Sequence, residues 1–477
     1  MKRRPRSRPS ESGRTAPPAV IVLAAGVGSR MRSTLPKVLH RVAGRTLVEA
    51  VLDAAAGVSP ANVVVVVGSG REQVEASLAK HAVTFAVQDP PLGTGDAARR
   101  GLAALPDARG QVLVLAGDTP LLSHATLARL VALQSEKNLD LAFLSFRPPE
   151  PGDFGRVVRD ARDRVVRIVE AKNASAREKR IGEVNAGVYC FAPGALARAL
   201  EKIRVNKVSG EYYLTDAVEI LTAGKGKVEA IQAEDWREAW GVNTRRDLAA
   251  AEEIERRRAV ERALDSGVTL LDPTSVRIGP RVVLSPDVVL HPFVSLEGAT
   301  ELGEGCEIRP FTHLVDTKVA AGAIVGPHCE ADHATIGARA QVGPFSRLRP
   351  GSVLEEDVKI GNFVETKNTR VGKGAKAQHL SYLGDAEIGP GSNIGAGVIT
   401  CNYDGEKKYP TRIGAKSFIG SDVQLVAPVT VGDGAYVGAG TTVTEDVPAG
   451  ALALSRASQI NKEGWAARRK AKKEETG

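Results

Sequence analysis

The sequence predicts an open α/β domain with a mostly parallel sheet, joined by one helix to a parallel β-solenoid. Three observations predict this fold class. Short runs of Val, Leu and Ile alternate with helical patterns in the first half, a charged helical segment follows, and aliphatic residues then recur every six positions. Continuous apolar runs fit strands buried on both faces of a parallel sheet, and a six-residue period fits no α-helix.

The chain of 477 residues begins with a basic segment, residues 1–17, which we expect to be disordered. Its first 15 residues carry six Lys or Arg and one acidic residue, and the whole chain has a net charge of +8. No aromatic residues are interleaved with these charges, so base stacking has no support. The sequence contains neither an apolar signal segment nor a run of 18 apolar residues. We therefore expect no membrane partner and no specific nucleic-acid partner.

The four cysteines lie far apart in the sequence and form no Cys-x-x-Cys pair. This spacing predicts neither a disulfide framework nor a zinc site. We expect reduced thiols, which are typical of a cytoplasmic protein.

Residues 18–243 have the pattern of the α/β domain. The stretches VIVLAAG, NVVVVVG, TFAVQ and QVLVLAGD read as buried strands, and TLVEAVLDAAAG and REQVEASLAKH between them read as helices. Ligands of such sheets bind beyond the carboxyl ends of the strands. Gly26 and Asp118 each follow a predicted strand, so we expect a site at that edge of the sheet.

Residues 244–266 predict a charged linker helix that ends at Gly267. Residues 267–455 then carry the six-residue repeat, and residues 456–477 form a basic C-terminal tail. Aliphatic residues occupy positions 336, 342, 348, 354 and 360, and again 413, 419, 425, 431, 437 and 443. Each hexapeptide is expected to form one face of a triangular coil, with its aliphatic side chain pointing inward.

Two stretches interrupt the period, TKNTRVGKGAKAQHLSYLGDAE and CNYDGEKKYPT. Insertions in solenoids form loops, and loops on rigid scaffolds often carry function. We therefore expect both stretches to be loops. They contain His379, Tyr382, Asn402 and Tyr403.

A glycine-rich stretch, LAAGVGSRM, follows the first predicted strand. Gly26 and Gly28 fit the first two glycines of the dinucleotide fingerprint G-x-G-x-x-G, but Met31 stands where the third glycine belongs. Small residues let backbone N–H groups approach an anion, and Arg30 and Lys37 add positive charge for phosphates. The stretch favours a triphosphate under nucleophilic attack over a resting dinucleotide.

Asp118 ends the strand in LAGDTPLL. A carboxylate beside phosphates is a ligand that Mg²⁺ prefers. An Asp at this place can equally cap a helix or a turn, and the residue pattern leaves both interpretations open.

The stretch LAAGVGSRM…LPKVLH is similar to the signature of sugar-nucleotide pyrophosphorylases. From about residue 19 to 465 the chain resembles the bifunctional GlmU family. The stretches that carry the resemblance are QDPPLGTGDA, LAGDTPL, FGRVVR, RIVEAKNA, EVNAGVY, GVNTR, SRLRPG, GNFVETK, HLSYLGDAEIG, NIGAGVITCNYDG, IGSDVQLVAPVTVG and SRASQINKEGW. The resemblance implies that the solenoid is a left-handed β-helix.

The resemblance also implies two activities. The first transfers an acetyl group from acetyl-CoA to glucosamine 1-phosphate. The second transfers a uridylyl group from UTP to N-acetylglucosamine 1-phosphate and releases pyrophosphate. A cytoplasmic homotrimer that uses Mg²⁺ and supplies precursors of peptidoglycan and lipopolysaccharide is implied as well.

For uridylyl transfer, the resemblance implies a set of binding residues in the α/β domain. The nucleotide phosphates would contact Leu23, Ala24, Ala25, Gly26, Arg30 and Lys37; uracil would contact Gln88, Gly93 and Thr94; the sugar phosphate would contact Gly155, Glu170 and Asn185; and Mg²⁺ would bind to Asp118 and Asn243. The chain departs from the family pattern at Val27, at Ala116 and at Asp96, where His is usual.

For acetyl transfer, the amine must lose its proton before it attacks the thioester, and His is the usual base. His379 stands out from the other histidines of the solenoid because it lies in an interrupted stretch beside Tyr382. The resemblance implies the same base, with Glu365 orienting its imidazole. It assigns the sugar phosphate to Arg349, Lys367, Tyr382 and Asn393, and acetyl-CoA to Ala396, Asn402, Tyr403, Ser421, Ala439 and Arg456.

The sequence is compatible with two other classes of function. In the first, the chain is a single-function sugar-1-phosphate nucleotidyltransferase whose hexapeptide domain is only structural. In the second, it is a nonenzymatic scaffold that binds polyanions through its basic ends, with strong salt dependence. The His379 stretch and CNYDG favour the bifunctional alternative, because a spacer needs neither.

Overall fold

The computed structural model describes residues 16–106, 110–455 and 458–474, and the chain divides into two compact units, Met1–Arg257 and Arg258–Gly477. Residues 1–15 of the predicted basic extension lie outside the described residues, as does Arg456. The division falls inside the helix that the sequence predicts as a linker, which spans Arg245–Asp265.

The first unit is built on a nine-stranded sheet and a two-stranded hairpin. Its strands are β1 (Ala19–Leu23), β2 (Arg41–Val42), β3 (Arg45–Thr46), β4 (Asn62–Val67), β5 (Thr84–Val87), β6 (Val112–Ala116), β7 (Leu141–Phe146), β8 (Arg156–Arg159), β9 (Val165–Val169), β10 (Val184–Phe191) and β11 (Val228–Gln232). The order across the sheet is β11, β7, β10, β6, β1, β4, β5, with β8 and β9 attached beside β10. The sheet is mostly parallel, but β10 runs antiparallel to β6 and β7.

Helices cover both faces of this sheet, and two apolar clusters lie between them and the strands. The α-helices of the unit are α1 (Leu47–Ala56), α2 (Arg71–Ser77), α3 (Thr94–Ala103), α4 (His124–Glu136), α5 (Ala195–Leu200) and α6 (Asp216–Ala223), and α7 (Arg245–Asp265) begins in this unit and ends in the second. Shorter 3₁₀ turns occupy Ser29–Met31, Lys37–Leu39, Glu178–Arg180 and Trp236–Ala239. The central strands are buried on both faces, as the continuous apolar runs predict.

The order of the strands decides where a ligand can bind. From β1 the chain proceeds to β4 and β5 on one side, and then returns to the other side of β1 to form β6. The carboxyl ends of β1 and β6, at Leu23 and Ala116, therefore lie at the switch point of the sheet. Open α/β sheets bind ligands in the crevice that such a switch point creates.

The second unit is a parallel β-helix whose three faces are parallel sheets of 11, 10 and 9 strands. Face 1 consists of Thr269–Leu270, Val289–Leu290, Glu307–Ile308, Ile324–Val325, Gln341–Val342, Lys359–Asn362, Lys376–His379, Asn393–Ile394, Phe418–Ile419, Tyr436–Val437 and Leu452–Ala453. Face 2 consists of Arg277–Ile278, Ser295–Glu297, His313–Val315, Glu330–Asp332, Arg347–Leu348, Glu365–Lys367, Tyr382–Gly384, Ile399–Cys401, Gln424–Val426 and Thr442–Val443. Face 3 consists of Val283–Leu284, Glu301–Leu302, Lys318–Val319, Thr335–Ile336, Val353–Leu354, Arg370–Val371, Ala386–Ile388, Thr411–Ile413 and Val429–Val431. A last helix, α8, spans Trp465–Glu474.

The aliphatic residues of the six-residue repeat fill the interior of this β-helix. All eleven positions that the sequence singles out are buried and belong to one apolar cluster. Burying a side chain of this size is worth about 1.5–3 kcal/mol, and most strands of the three faces contribute one such side chain to the interior. The predicted fold class, an α/β nucleotidyltransferase-like domain joined by a helix to a left-handed β-helix of hexapeptide repeats, is confirmed.

The prediction that the His379 stretch is a loop is wrong. Lys376–His379 is a strand of face 1 that pairs in register with its neighbours in the coils before and after it. The stretch still forms complete coils. Some successive inward residues are five positions apart instead of six, and the small residues Thr366 and Ala377 occupy buried inward positions where a larger aliphatic residue is expected. The CNYDG stretch is indeed an insertion, since Ile388 pairs with a residue 25 positions later, whereas Val371 pairs with one 17 positions later.

All four cysteines are free in the structure. None of the helices in the described ranges is long and apolar enough to cross a membrane.

Candidate active sites

The glycine-rich loop of the first unit begins where β1 ends, at the switch point of the sheet. Gly28 adopts a φ of +65°, and a Cβ built on it would lie 2.5 Å from the Cβ of Lys37. The position therefore requires glycine for both its backbone conformation and the close approach of Lys37. This approach brings the Lys37 ammonium to the mouth of the loop.

Lys37 is the centre of a charged cluster. Its ammonium pairs with the Asp118 carboxylate and donates to the Oδ1 atom of Asn243 at 3.2 Å, and Arg30 donates to the same oxygen at 3.1 Å. Only 13% of the Lys37 side chain and 20% of the Asp118 side chain are exposed. The backbone holds Asp118 beside Asn243, because Val242 donates its N–H to the carbonyl of Asp118 at 2.8 Å.

This cluster can hold a metal ion. One carboxylate and one amide oxygen already contact a common cation, the Lys37 ammonium. The described residues contain no cluster of three or more His, Cys, Asp or Glu placed to bind a metal. A site with two protein oxygens fits Mg²⁺, which takes its remaining ligands from water and substrate phosphates.

A cleft of about 620 Å³ extends from the glycine-rich loop along the switch point. Ten of the residues predicted for nucleotide, sugar and metal binding line it: Leu23, Ala25, Gly26, Lys37, Gln88, Gly93, Thr94, Asp118, Glu170 and Asn185. Arg30 and Asn243 join it through the Lys37 cluster. Gly155 lies beside it, since its carbonyl accepts from the N–H of Asn185 at 2.8 Å.

One end of the cleft is lined by Gln88 and the start of α3. The Nε2 atom of Gln88 donates to the carbonyl of Gly93 at 2.9 Å and to Asp96 Oδ2 at 3.0 Å. Gln88 and Asp96 are only 5% and 6% exposed. Arg100, one turn further along α3, donates from Nε to the same Asp96 oxygen at 2.9 Å.

A second polar group of the cleft surrounds Glu170, close to the start of α3, because Leu214, the neighbour of Thr215, donates its N–H to the hydroxyl of Thr94 at 3.0 Å. Burial raises the pKa of Glu170 above its ordinary value, although the hydroxyl of Thr215 donates to its carboxylate at 2.9 Å. Asn185 donates from Nδ2 to the hydroxyl of Tyr189 at 2.7 Å, and burial also raises the pKa of that phenol. This part of the cleft offers several hydrogen-bond donors and acceptors together with the Lys172 ammonium, which suits the hydroxyl and amide groups of a sugar.

In the second unit, cations gather on and beside face 2. Arg349 donates to the carboxylate of Glu365 at 2.8 Å. The Lys408 ammonium, with a smaller effect from Arg349, lowers the pKa of Lys367 below its ordinary value. Three cations with one carboxylate in direct contact make this a place for an anion such as a phosphate.

The CNYDG insertion folds against the same face. Tyr403 bridges to Lys408 across the insertion. Asn402 and Asn368 both donate to the Asp385 carboxylate, at 2.5 Å and 2.7 Å. A Cβ on Gly384 would lie within 3 Å of the Tyr382 hydroxyl and of the Asn402 amide, so these two groups converge over a residue without a side chain.

His379 lies at the end of its face 1 strand, next to the corner that leads to face 2, and its side chain is exposed. The described residues show no hydrogen bond or ion pair between His379 and Glu365, whose carboxylate contacts Arg349 instead. The orienting role of Glu365 stays a prediction.

The corner beside His379 gathers three of the residues predicted for acetyl-CoA binding. Backbone hydrogen bonds connect Leu380 to Gly397, Ala396 to Asp422, and Ser421 to Gly440 in successive coils. Ala396, Ser421 and Ala439 therefore continue the line that His379 begins. Asn393 lies on the neighbouring face 1 strand, whereas Arg456 is outside the described residues.

Sequence reasoning missed several side chains of these sites. They are Thr215 and Tyr189 in the cleft, and Lys408, Asp385 and Asn368 near face 2. The two lysines of GEKKY in the second interrupted stretch were a signal for Lys408. The others are distant in sequence from their partners and left no local signal.

Comparison with known proteins covers both units. A family model described as a MobA-like NTP transferase domain matches residues 20–210, and one for the bacterial transferase hexapeptide (six repeats) matches residues 410–445. The bifunctional protein GlmU of Streptomyces avermitilis is 48% identical over 95% of both chains. The chain belongs to the GlmU family. The GlmU protein of Sorangium cellulosum is also 48% identical, over 96% of this chain and 97% of its own, and that of Cupriavidus pinatubonensis is 47% identical over 94% and 98%.

The predicted resemblance to the GlmU family is thereby confirmed. These relatives match the chain almost from end to end, so their similarity includes the cleft of the first unit and the His379 corner of the second. A nucleotidyltransferase with an unrelated structural solenoid is not favoured by this match.

Proposed function

We propose that the chain makes UDP-N-acetylglucosamine by two transfers. The β-helix unit moves an acetyl group from acetyl-CoA to glucosamine 1-phosphate, and the α/β unit moves a uridylyl group from UTP to N-acetylglucosamine 1-phosphate. The observation that carries this proposal is the match to bifunctional GlmU proteins over about 95% of the chain, which includes both polar sites. The product is a precursor for peptidoglycan and lipopolysaccharide.

In the α/β unit, Lys37 and Arg30 would bind the phosphates of UTP beside the glycine-rich loop. Glu170 and Asn185 would hold the acetylated sugar so that its phosphate oxygen faces the α-phosphorus. That oxygen forms the new P–O bond while the bond to pyrophosphate breaks. Such a transfer needs positioning and charge neutralisation more than a protein nucleophile. The described lining residues include cations, the Asp118 carboxylate beside them and a glycine loop, which agrees with that requirement.

Asp118 and Asn243 would hold Mg²⁺ through their side-chain oxygens. When bound, Mg²⁺ supplies positive charge that neutralises the phosphate oxygens during the transfer. Lys37 contacts both of these oxygens and is therefore placed to turn from them toward a phosphate.

In the β-helix unit, Arg349, Lys367 and Lys408 would bind the phosphate of glucosamine 1-phosphate, with Tyr382 and Asn393 beside the sugar. His379 would accept the proton of the amine as the nitrogen attacks the thioester carbonyl. The coenzyme A thiolate leaves, and the acetyl group stays on the nitrogen. Ala396, Ser421 and Ala439 would line the donor groove, with Asn402, Tyr403 and Arg456 contributing from the insertion and the tail.

The assembly that we propose is a homotrimer in the cytoplasm. A ladder of stacked side-chain rings on the surface of the β-helix supports self-association, because a continuous exposed patch of this kind typically contacts another protein chain. The ladder runs through Phe293, Phe311, His328, Phe345 and Phe363 with ring centroids 4.9–5.4 Å apart. Leu380, next to His379, follows it on the same corner, so a neighbouring subunit on this ladder would also approach the acetyl-transfer site. A closed trimer covers such a surface on every subunit.

The proposal is tested with purified full-length protein, glucosamine 1-phosphate, acetyl-CoA, UTP and Mg²⁺. Free thiol and pyrophosphate are measured separately in the same reaction. We expect both products, and pyrophosphate only after thiol when the unacetylated sugar is supplied. Pyrophosphate from N-acetylglucosamine 1-phosphate with no thiol release under any condition would instead support a single-function nucleotidyltransferase with a structural hexapeptide domain. If neither thiol nor pyrophosphate is released, the scaffold alternative remains.

A further inference from the structure

The orientation of the Gln88 carboxamide in the nucleotide cleft is fixed by two acceptors. Its Nε2 atom donates to the carbonyl of Gly93 and to Asp96 Oδ2, at 2.9 Å and 3.0 Å. Neither of these oxygens has a proton that it could donate to the amide oxygen of Gln88, so the amide nitrogen must point toward them. The Oε1 atom is then the amide atom that remains for a ligand in the cleft.

Asp96 is itself held as an acceptor by arginines of its own helix. Arg100 donates from Nε to the same oxygen that receives Gln88, and it also donates to the backbone carbonyl of Val87 at 3.0 Å. The Nη1 atom of Arg99 lies 3.6 Å from the other oxygen of Asp96. An ionised, largely buried carboxylate with cationic partners accepts hydrogen bonds and donates none.

An acceptor at this position of the cleft distinguishes between the bases of nucleotides. Uracil carries an N–H at ring position 3, which can donate to Oε1 of Gln88, whereas cytosine has a bare nitrogen at that position. Two acceptors facing each other in a buried place leave both lone pairs unsatisfied. A site built around one hydrogen bond rejects the ligand that lacks it far more strongly than a merely apolar pocket does.

We infer that Asp96 is a positioning residue for base selection. It fixes Gln88 as an acceptor and so makes the cleft select uridine over cytidine nucleotides. This inference rests on the proposed function for the identity of the nucleotide. It adds the residue that sets the direction of recognition, at a position where this chain departs from the His that is usual in its family.

The variant Asp96→Ala removes the stronger of the two constraints on Gln88, so the carboxamide can rotate and offer Nε2 to the cleft. The variant Asp96→Asn is the matched control. A single oxygen receives both Gln88 and Arg100, and the amide oxygen of Asn can take that place while keeping the side-chain volume.

Binding of UTP and of CTP to the full-length protein is measured by titration calorimetry, and the ratio of the two dissociation constants is the readout. For wild type we expect UTP to bind at least about tenfold tighter than CTP. Asp96→Ala should reduce that preference about tenfold, mainly by improving CTP, and Asp96→Asn should keep it within about threefold. A structural defect would instead weaken both nucleotides by one common factor.

An unchanged UTP-to-CTP ratio in Asp96→Ala would overturn the inference, as would a wild-type protein that binds both nucleotides equally. Pyrophosphate release is measured separately on the same samples. A wild type that prefers UTP but releases no pyrophosphate would refute the proposed function and leave the positioning role of Asp96 standing.

Discussion

Replacing Lys37 by Met tests whether the cluster at the switch point is a true buried ion pair. The substitution keeps most of the side-chain volume but leaves the Asp118 carboxylate without its ammonium partner. Breaking a fully buried pair costs about 3–5 kcal/mol, and an exposed pair is worth about 0–1 kcal/mol. Since 13% of Lys37 and 20% of Asp118 are exposed, we expect a loss of about 2 kcal/mol.

For a domain of this size, 1 kcal/mol shifts the midpoint of thermal unfolding by about 2–4 °C. Lys37→Met should therefore unfold about 4–8 °C lower than wild type. Intrinsic fluorescence is a suitable probe because Trp236 and Trp240 both lie in the first unit, with ring centroids 5.1 Å apart. The same variant should release pyrophosphate about 100–1000-fold more slowly, as expected when one cation is removed from the reacting phosphates.

Lys137→Met is the matched control. Lys137 pairs with Glu229 at 2.5 Å in the same unit, but 51% and 37% of the two side chains are exposed. Its loss should shift the midpoint by less than about 4 °C. Equal shifts for the two variants would refute the claim that the Lys37 pair is special because of its burial.

Three further predictions concern other sites. Burial raises the pKa of Asp216 to about 6, so its contribution to stability is present below about pH 4 and lost as the pH rises to about 6. The midpoint of thermal unfolding of Asp216→Asn should therefore rise relative to that of wild type as the pH increases from about 4 to about 6. A constant difference between the two midpoints from about pH 4 to 7 would contradict this. Lys408→Ala should raise the pKa of Lys367 and raise KM for glucosamine 1-phosphate about tenfold in the thiol assay, as expected for the loss of one charge-assisted contact; an unchanged KM would remove Lys408 from the anion site. Gly361→Ala should destabilise the β-helix by about 1–3 kcal/mol, because the new Cβ would lie 2.0 Å from the carbonyl of Gln378; a far-UV melting curve identical to wild type would show that the coils can separate.

The two fold types could be predicted because each has its own period. The aliphatic positions from 336 to 360 and from 413 to 443 are inward in the structure, as the six-residue spacing requires. Between these runs the spacing failed, because Thr366 and Ala377 fill inward positions and some steps shrink to five residues. Small residues and short steps hide a coil from a count of large aliphatic side chains.

The direction of β10 could not be predicted either. Its sequence, VNAGVYCF, reads like the parallel strands around it, yet it runs antiparallel to β6 and β7. A buried apolar run has the same composition in both directions, so strand direction depends on the connections and not on the run itself.

In the candidate sites, residues on the loops that follow strands were predictable, and their distant partners were not. Gly28 and Lys37 belong to one stretch of sequence, whereas Asn243 reaches the same cluster from the far end of the unit. Its role came from the family resemblance and not from the residue pattern. Gln88 and Asp96 are only eight residues apart in the sequence, but only the structure shows which atom of the Gln88 amide contacts Asp96.

If the chain carries two independent active sites, a variant of one site should leave the activity of the other unchanged. His379→Ala protein is assayed in parallel for thiol release with glucosamine 1-phosphate and acetyl-CoA, and for pyrophosphate release with N-acetylglucosamine 1-phosphate and UTP. We predict that thiol release falls at least about 100-fold, as for the loss of a general base, while pyrophosphate release stays at the wild-type rate. Retained thiol release, or equal loss of both activities, would contradict the account.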